Sequence, residues 1–449
     1  MITDKKTISI QPFRASCNAT TTVPGSKSIS NRALILSVMC NARVELEGLL
    51  QSEDVDLMRK ALENLGVYIQ KSGNNYIVHG TGGLISKKDC SINVGNAGTI
   101  ARFLTCLLAA QKEGVFYMDG SDAMRKRPML ELLDCLQDLG CVIEYDEKGG
   151  HFPYRMYSNG LTDKDININA QKSSQNISGI LMQCCKQNRE YKINFKNGTV
   201  SVPFVGMTLE MMRAFCEDKN TSYTFKNNSI TLKNCNYKKS DFVYKIEPDA
   251  TAASYFLTLP LVVGGECTVT GITNNMIQGD IGYCTVLKQL GVEIRFGLDA
   301  VTSSFNKSLP GGSFNFNDIS DTFLSLAAIS PLFGTSLEIY GIEHTRKQET
   351  DRISAMASEL RKLGQEVVEK ADRLIIHPDL NKLKTSAANG VHINTYKDHR
   401  FAMSFAILGC LDLLGNGKPW LNINDPGCCA KTFPQFFDCL NTIYLDSHV

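Results

Sequence analysis

The sequence predicts an α/β protein of two similar domains, each built from three repeats of a strand–helix unit. Three observations support this prediction: the length of 449 residues, a recurring Leu-Gly helix ending, and a second kind of helix that recurs with the same period. A chain of this length exceeds one ordinary domain and suffices for two domains, each large enough to bury a core.

The Leu-Gly endings define the period of the repeat. Four segments with helical hydrophobic spacing end in Leu-Gly and continue into a hydrophobic strand. Their glycines, separated by 74, 151 and 73 residues, are Gly66, Gly140, Gly291 and Gly364. Each glycine suits a helix C-terminus, where a positive φ is needed. Weaker copies at Thr208–Cys216 and Pro434–Ile443 fill the two missing places, so the period predicts six units.

A second kind of helix follows the same rhythm at intervals of 71 to 77 residues. Each opens with polar residues and continues into an apolar run, which is typical of a helix buried on most faces. Strand-like pieces rich in β-branched and aromatic residues, such as Tyr191–Phe195 and Leu337–Tyr340, lie between these helices. The predicted starts lie near Ser28, Thr99, Ser174, Thr251, Thr322 and His399.

The domain boundary is expected halfway through the period count, near Tyr244–Glu247. The prediction is a discontinuous domain of residues 1–22 plus 247–449 and a second domain of residues 23–246, with three units in each.

Composition excludes several classes of protein. The formal net charge of +1 gives no overall attraction to nucleic acid or to an anionic membrane. No apolar run is long enough to span a bilayer, and the first 13 residues lack the apolar stretch of a secretory signal. The 16 cysteines include no CxxC pair, so we expect thiols and no metal site. These features predict a cytoplasmic protein without nucleic-acid or membrane partners. No coiled coil or exposed repeat cap requires an oligomer, so a monomer is expected.

The starts of the apolar helices carry the candidate chemistry. A buried helix start presents unpaired N–H groups and the positive end of the helix dipole, which together attract anions. In the first half these starts are Pro24–Arg32, Gly95–Arg102 and Ser173–Gln175, which supply glycines, hydroxyls and cations suited to phosphate and carboxylate. In the second half they carry Asp249, Asp321 and Asp398-His399-Arg400. We therefore expect a site with acid–base capacity in a cleft between the domains.

Two further segments add charged groups. Arg127 precedes Pro128, which predicts an arginine at a helix entry with proline at the first helical position. Glu349 and Arg352 are three residues apart, which predicts that they share one face of a helix.

These segments resemble the 5-enolpyruvylshikimate-3-phosphate synthase family over residues 24–437. The matching motifs, in order and at the family's spacing, are PGSKSISNR from Pro24, GNAGTIAR from Gly95, KRP from Lys126, SSQ from Ser173, EPDATAASYF from Glu247, ETDR from Glu349, YKDHRFAM from Tyr396 and AKTFP from Ala430. The resemblance implies the inverse α/β barrel of the enolpyruvyl transferases. It implies transfer of the enolpyruvyl group of phosphoenolpyruvate to the 5-hydroxyl of shikimate 3-phosphate, with release of phosphate and without a cofactor. This reaction belongs to the shikimate pathway of aromatic amino acid biosynthesis.

Two alternatives to this function are a transferase with a different acceptor and a relative that only binds ligands. The UDP-N-acetylglucosamine enolpyruvyl transferases share the fold, and such an enzyme would act on a UDP-amino sugar. They carry Lys-Asn where this chain has Lys27-Ser28, and a catalytic cysteine in the loop where this chain reads Gly120–Met124. A relative that only binds ligands would have lost site residues at random, whereas Lys27, Asp321 and Glu349 persist together.

The resemblance also implies roles for individual residues. The acid–base residues would be Lys27, Asp321 and Glu349, and the sequence leaves open which one transfers which proton. Phosphoenolpyruvate would be bound by Lys27, Gly98, Arg127, Gln175, Arg352, His399, Arg400 and Lys431, with Arg102 close by. Shikimate 3-phosphate would be bound by Lys27, Ser28, Arg32, Ser173, Ser174, Gln175, Ser201, Asp321 and Gln348.

Three positions depart from the family pattern, all on the acceptor side. Gln348 stands where a lysine is usual, Phe204 where an aromatic residue with a hydroxyl is usual, and His344 where asparagine is usual. The role of Asp249 stays open, because it could cap its helix through the N–H of Thr251 or Ala252 or contact substrate.

Overall fold

The computed structural model describes residues 6–170, 173–185, 189–199, 201–218, 222–226, 228–233 and 235–448. Within these ranges the chain contains 23 strands and 14 α-helices. The helices are α1 (Lys27–Met39), α2 (Glu53–Asn64), α3 (Gly98–Ala109), α4 (Asp122–Arg125), α5 (Leu130–Asp138), α6 (Ser174–Gln183), α7 (Val202–Phe215), α8 (Ala250–Val263), α9 (Tyr283–Gln289), α10 (Phe323–Ala328), α11 (Arg352–Lys362), α12 (Leu380–Ala387), α13 (His399–Gly409) and α14 (Phe436–Asp446).

The strands are short and alternate with these helices. In chain order they are β1 (Thr7–Ser9), β2 (Cys17–Thr22), β3 (Arg43–Glu47), β4 (Ile69–Ser72), β5 (Asn75–His79), β6 (Asp89–Asn93), β7 (Gly114–Asp119), β8 (Val142–Tyr145), β9 (Tyr154–Ser158), β10 (Ile166–Ala170), β11 (Tyr191–Thr199) and β12 (Ser222–Lys226). The remainder are β13 (Ser229–Lys233), β14 (Phe242–Lys245), β15 (Gly265–Thr270), β16 (Glu293–Phe296), β17 (Ala300–Phe305), β18 (Gly312–Asn315), β19 (Leu337–Tyr340), β20 (Glu366–Glu369), β21 (Arg373–His377), β22 (Val391–Ile393) and β23 (Leu421–Asn424).

The chain divides into two compact units. The discontinuous unit consists of Met1–Pro24 and Glu247–Val449, and the continuous unit consists of Gly25–Ile246.

The sheets repeat one topology. In the continuous unit the strand orders are β14-β3-β5-β4, β6-β7-β9-β8 and β10-β11-β13-β12. In the discontinuous unit they are β2-β15-β17-β16, β18-β19-β21-β20 and a shorter β22-β23-β1. In every one of these sheets the first two strands pair parallel and the later pairs are antiparallel. Six copies of the same sheet confirm the predicted six-unit α/β fold.

A helix joins the parallel strands within a repeat, as a parallel pairing requires. Examples are β6-α3-β7, β10-α6-β11 and β18-α10-β19, and in each of these repeats a second helix and an antiparallel hairpin follow. Three strands complete sheets whose other strands lie far away in the chain: β2 pairs with β15, β14 pairs with β3, and β1 pairs with β23. Those three repeats are therefore completed by segments far apart in sequence.

The repeated glycines end the second helix of four repeats. Gly66, Gly140, Gly291 and Gly364 follow the ends of α2, α5, α9 and α11 with φ of 93°, 113°, 84° and 78°. A side chain at these φ angles would be strained, which explains why the motif uses glycine. The prediction of helix C-terminal caps is confirmed.

The apolar helices form the core of each unit. They begin at Lys27, Gly98, Ser174, Ala250, Phe323 and His399, each within one residue of the predicted start. Every residue of α3 and α13 is buried, in agreement with the apolar character of these helices on all faces. Among the described residues, no helix is both long and apolar enough to cross a bilayer.

Two local predictions were wrong. Pro128 does not open a helix, because α5 begins at Leu130 after the N-cap Met129. Glu349 does not share a helix face with Arg352, because the carboxylate of Asp351 accepts a hydrogen bond from the Ser354 N–H and starts α11 at Arg352. Glu349 therefore lies in the bend before the helix.

Candidate active site

The continuous unit brings three helix starts side by side. Gln175 at the start of α6 donates from Nε2 to Thr99 Oγ1 at the start of α3, over 3.3 Å. The Arg32 guanidinium of α1 lies 5.1 Å from the centre of the Phe103 ring of α3. The first turns of α1, α3 and α6 are therefore neighbours. We call the cations of this region, Lys27, Arg32, Arg102 and Arg127, the cationic cluster.

Arg32 is buried among neutral oxygens. It donates to Thr208 Oγ1 at 2.8 Å, to the Ser28 carbonyl at 2.9 Å and to Ser178 Oγ at 3.1 Å. Its relative exposure is 2%, and burial lowers its pKa to about 9. A buried cation held only by neutral groups is stabilised when an anion joins it, so Arg32 is suited to bind a carboxylate or phosphate.

Gly98 leaves room for two guanidinium groups. Arg102 donates to the Gly98 carbonyl at 3.0 Å and to the Pro128 carbonyl at 3.1 Å. A Cβ atom on Gly98 would lie 2.6 Å from Arg127 Nη2 and 3.1 Å from Arg102 Nη1. Burial, with the nearby charge of Arg127, lowers the pKa of Arg102 to about 9. Two adjacent cations beside a helix N-terminus form a binding place for a dianion such as phosphate.

Lys27 is paired with a carboxylate that the sequence analysis missed. Lys27 is the first residue of α1, and its Nζ lies 3.5 Å from Oδ2 of Asp54 in the first turn of α2. Both side chains are largely buried. Acidic residues in a first turn are common because they favour the helix dipole, so the run Glu53-Asp54 carried no distinguishing signal.

The predicted phosphate-binding serines lie at two helix starts. Ser173 is the N-cap of α6 and accepts the Gln175 N–H at 3.3 Å, and Ser174 beside it is buried. Ser201 is the N-cap of α7 and has a left-handed φ of 51°. Such a φ costs a non-glycine residue about 1–3 kcal/mol and concentrates at functional sites. Helices α6 and α7 pack together, so these hydroxyls belong to one region of the continuous unit.

The discontinuous unit holds a second group of charges centred on Arg352, which has 1% relative exposure. Its Nε donates to Asp398 Oδ2 at 2.7 Å, its Nη1 to Asp321 Oδ1 at 2.9 Å and its Nη2 to Glu349 Oε2 at 2.9 Å. One planar guanidinium thus holds three carboxylates in a fixed arrangement. We call these residues, with Arg400 and Lys431, the ion-pair network.

Two further cations complete this network. Arg400 Nη2 donates to Asp321 Oδ2 at 2.7 Å, and Lys431 Nζ donates to Glu349 Oε1 at 3.0 Å. Both oxygens of Asp321 and of Glu349 are therefore held by cations. The network balances three carboxylates with three cations, so an added substrate anion shifts its charge balance.

Helix capping explains two acidic residues of this unit. Asp249 Oδ1 accepts from the N–H groups of Thr251 and Ala252 at 2.9 and 3.3 Å, which confirms its capping of α8. Asp398 caps α13 through the Arg400 N–H at 3.0 Å in addition to its bond with Arg352. His399 is buried beside it, with Nδ1 3.7 Å from Asp398 Oδ1.

Asp280 is a second residue that the sequence analysis missed. It is 1% exposed, and its Oδ2 accepts from Gln278 Nε2 at 3.1 Å. Burial and, to a lesser extent, the nearby charge of Asp321 raise its pKa to about 7, against the opposing effect of Arg400. It lies in a 3₁₀ turn (Gly279–Gly282), where an acidic residue has no sequence signature.

The three departures from the family pattern have defined partners. Gln348 Oε1 accepts from Arg352, so its amide oxygen points into the ion-pair network. His344 Nε2 lies 2.8 Å from Ser320 Oγ, and burial lowers the pKa of His344. The Phe204 carbonyl accepts from Thr208 at 2.8 Å, beside Arg32.

The fold is that of the enolpyruvyl transferases. The structure of the EPSP synthase from Acinetobacter baumannii matches with a TM-score of 0.75 at 22% identity, covering 98% of both chains. The enolpyruvyl transferase NikO from Streptomyces tendae matches with a TM-score of 0.72 at 12% identity, covering 98% of this chain and 97% of that one. In this fold, cations lie at helix starts of the continuous unit, and a buried arginine of the discontinuous unit holds carboxylates.

The chain belongs to the EPSP synthase (3-phosphoshikimate 1-carboxyvinyltransferase) family, whose model matches residues 14–440. The 3-phosphoshikimate 1-carboxyvinyltransferase of Opitutus terrae is 43% identical over 442 residues, covering 97% of this chain and 96% of the relative. The enzyme of the same name from Nostoc punctiforme is 35% identical over 433 residues, covering 96% and 97%.

Proposed function

We propose that this enzyme transfers the enolpyruvyl group of phosphoenolpyruvate to the 5-hydroxyl of shikimate 3-phosphate, and that Lys27, Asp321 and Glu349 carry its acid–base steps. Family membership across nearly the whole chain supports the reaction. The observation that supports the residue roles is the pair of carboxylates, Asp321 and Glu349, held on one buried arginine. The UDP-amino sugar alternative is not favoured, because the relatives bear the name of the shikimate enzyme.

The reaction needs groups that both donate and accept protons. The methylene carbon of phosphoenolpyruvate is protonated, the acceptor hydroxyl attacks the neighbouring carbon and loses its proton, and phosphate then leaves with a proton from the new methyl group. A carboxylate near the hydroxyl and a carboxyl or ammonium near the methylene meet these needs. We assign Asp321 to the hydroxyl and Glu349 or Lys27 to the methylene carbon.

The two ends of phosphoenolpyruvate call for different cations. Its phosphate fits Arg127, Gln175, Lys27 and the Gly98 N–H, which lie at helix starts of the continuous unit. Its carboxylate fits Arg352, Arg400 and Lys431, with His399 beside them. Binding there adds negative charge next to Asp321 and Glu349, which raises their affinity for a proton and prepares one of them to act as an acid.

The acceptor is assigned to the remaining groups. Its 3-phosphate fits the hydroxyls of Ser173, Ser174 and Ser201, and its carboxylate fits Ser28 and Arg32. The buried Arg32 gains in this way the anion that its neutral partners do not provide.

The departure at Gln348 tunes acceptor binding. A lysine at this position would add a cation beside Arg352, whereas the Gln348 oxygen accepts a hydrogen bond from it. Loss of one charged contact weakens binding by about 1.5–3 kcal/mol when the group is desolvated. We therefore expect the wild-type protein to have a higher KM for shikimate 3-phosphate than the Gln348→Lys variant. Steady-state kinetics of the two proteins test this expectation.

The reaction is tested by phosphate release from phosphoenolpyruvate with shikimate 3-phosphate, shikimate or UDP-N-acetylglucosamine as acceptor. Release with shikimate 3-phosphate alone is the expected result. Release with the UDP-sugar, or no release with any acceptor, contradicts the proposal.

The role of Lys27 is tested by Lys27→Met, with Lys60→Met, at an exposed lysine of α2, as the matched control. Lys27→Met should abolish turnover while its circular dichroism and melting temperature stay close to those of the parent, and Lys60→Met should retain activity. Turnover of Lys27→Met at the parent rate would remove Lys27 from the mechanism.

The same proposal includes a monomeric, cytoplasmic enzyme without a cofactor, because acid–base side chains suffice for the reaction and no coiled-coil pattern in the sequence requires an oligomer. Sedimentation equilibrium tests the oligomeric state, and a species heavier than one chain would contradict it.

A further inference from the structure

Three cysteines of the continuous unit meet at one place. The sulfur atoms of Cys185, Cys216 and Cys235 all lie within 4.8 Å of one another. The closest pair, Cys185 and Cys216, is separated by 3.7 Å. None of these residues belongs to the groups assigned to the reaction.

The fold assembles this group from distant parts of the sequence. Cys185 follows the last turn of α6, and Cys216 is the C-cap of α7. An isolated antiparallel bridge pairs Cys216 with Tyr237, and the Glu217 N–H donates to the Asn236 carbonyl at 2.9 Å. This pairing brings Cys235 alongside Cys216. Because the three cysteines are 31 and 19 residues apart, no short metal-binding motif appears in the sequence.

The spacing of the closest sulfur pair matches metal–thiolate geometry. Zinc–sulfur bonds of about 2.3 Å at tetrahedral angles place two sulfur atoms about 3.8 Å apart. A disulfide places them about 2.0 Å apart. The observed 3.7 Å therefore agrees with two thiolates that share one ion.

The surrounding dipoles favour a cation. Helices α6 and α7 both end at this group, and a helix C-terminus carries partial negative charge. That charge disfavours buried thiolates by themselves and stabilises an ion placed among them. Cys216 and Cys235 are 5% and 1% exposed, so a charge left unbalanced there is costly. A divalent ion leaves less net negative charge with three thiolates than a monovalent ion does.

We propose that Cys185, Cys216 and Cys235 bind one zinc ion, with a solvent molecule as the fourth ligand on the side of the partly exposed Cys185. Thiolates are preferred zinc ligands, and zinc bound by three protein ligands takes a solvent molecule in its fourth position, as in sites that are open to solvent. The ion ties together the end of α6, the end of α7 and the segment before β14. Its role is to stabilise the continuous unit. This proposal departs from the sequence-based expectation of no metal site.

The direct test measures zinc bound to the full-length, reduced protein after metal removal and re-addition of Zn²⁺. One zinc per chain is expected by elemental analysis after gel filtration, with a raised melting temperature and unchanged kcat. Co²⁺ in place of Zn²⁺ should produce thiolate-to-cobalt charge-transfer absorption and the visible bands of a tetrahedral ion.

Variants identify the ligands. Cys185→Ala, Cys216→Ala and Cys235→Ala should each weaken zinc binding at least about tenfold in competition with a chromophoric chelator. Cys184→Ala is the matched control, because this buried cysteine is adjacent in sequence and lies outside the group. Equal weakening by the control would contradict the assignment.

A measurement on the unmodified chain keeps the test independent of folding defects in the variants. Zn²⁺ should protect the partly exposed Cys185 from alkylation by iodoacetamide, while Cys90, which is also partly exposed and lies outside the group, stays equally reactive. No bound zinc, no selective protection, or a Cys185–Cys216 disulfide that forms equally well with Zn²⁺ present would each overturn the proposal.

Discussion

Replacing Asp280 by asparagine is expected to stabilise the protein at neutral and higher pH and to change little in acid. The Asp280 carboxyl is buried beside Asp321, and its pKa rises from the ordinary 3.8 to about 7. Between these two values the folded chain holds a proton that the unfolded chain has released. Wild-type stability from this group is therefore fully present below the unfolded pKa and is lost as pH rises through the folded pKa.

The magnitude follows from the size of the shift. A shift of roughly three units at about 1.4 kcal/mol per unit gives an upper limit of about 4 kcal/mol at about pH 8. Asparagine has nearly the same shape, and its Oδ1 can keep the bond from Gln278 Nε2. The variant thus avoids burying a charge without creating a cavity.

The assay is chemical denaturation of wild type and Asp280→Asn from about pH 5 to about pH 8, followed by circular dichroism. The stability difference should grow by about 3 kcal/mol up to about pH 7 and then level off. Asp299→Asn, at an exposed carboxyl of the same unit, is the control and should show no such trend. A difference that is constant with pH, or a variant less stable than wild type at high pH, would refute the reasoning.

Three further changes test the site. In Gly98→Ala the new Cβ would lie 2.6 Å from Arg127 Nη2, so the guanidinium must move. The KM for phosphoenolpyruvate should therefore rise about tenfold with little change in melting temperature. An unchanged KM would count against the assignment of Gly98 to the phosphoenolpyruvate site. In Arg352→Lys one ammonium cannot hold the three carboxylates that the guanidinium binds. The free energy of unfolding should therefore fall by about 3–5 kcal/mol, and turnover should fall as well. A melting curve that matches wild type would contradict this expectation. Asp54→Asn removes the carboxylate beside Lys27. The value of kcat should fall about tenfold, and unaltered kcat would show that Asp54 does not position the lysine.

The repeat was predictable because its signals are local. Gly66 and Gly364 report a positive φ that is required within a few residues of a helix end, and the structure has φ of 93° and 78° there. The apolar run from His399 reports burial on all faces, and every residue of that helix is buried. Such signals can be recognised without knowing which residues pack against them in the folded protein.

The ion pairs were less predictable because a charge does not specify its partner. The neighbours Glu349 and Arg352 do bond to each other, but from a bend into a helix start and not along one helix face. Asp54 has the same local setting as any acidic residue in a first helical turn, and only the packing of α1 against α2 places it at Lys27.

The amino-acid sequence was enough to predict the six-unit α/β fold, the family, and the residue types suited to phosphate and carboxylate. These predictions rest on helix caps, hydrophobic periods and family motifs, and each of these is a pattern within a short stretch of chain. Tertiary packing set which charges share Arg352, buried Asp280 where its pKa is raised, and brought Cys185, Cys216 and Cys235 together. Those properties depend on distances between atoms from separate segments of the chain and on the loss of water around them, and neither quantity is fixed until the chain has packed.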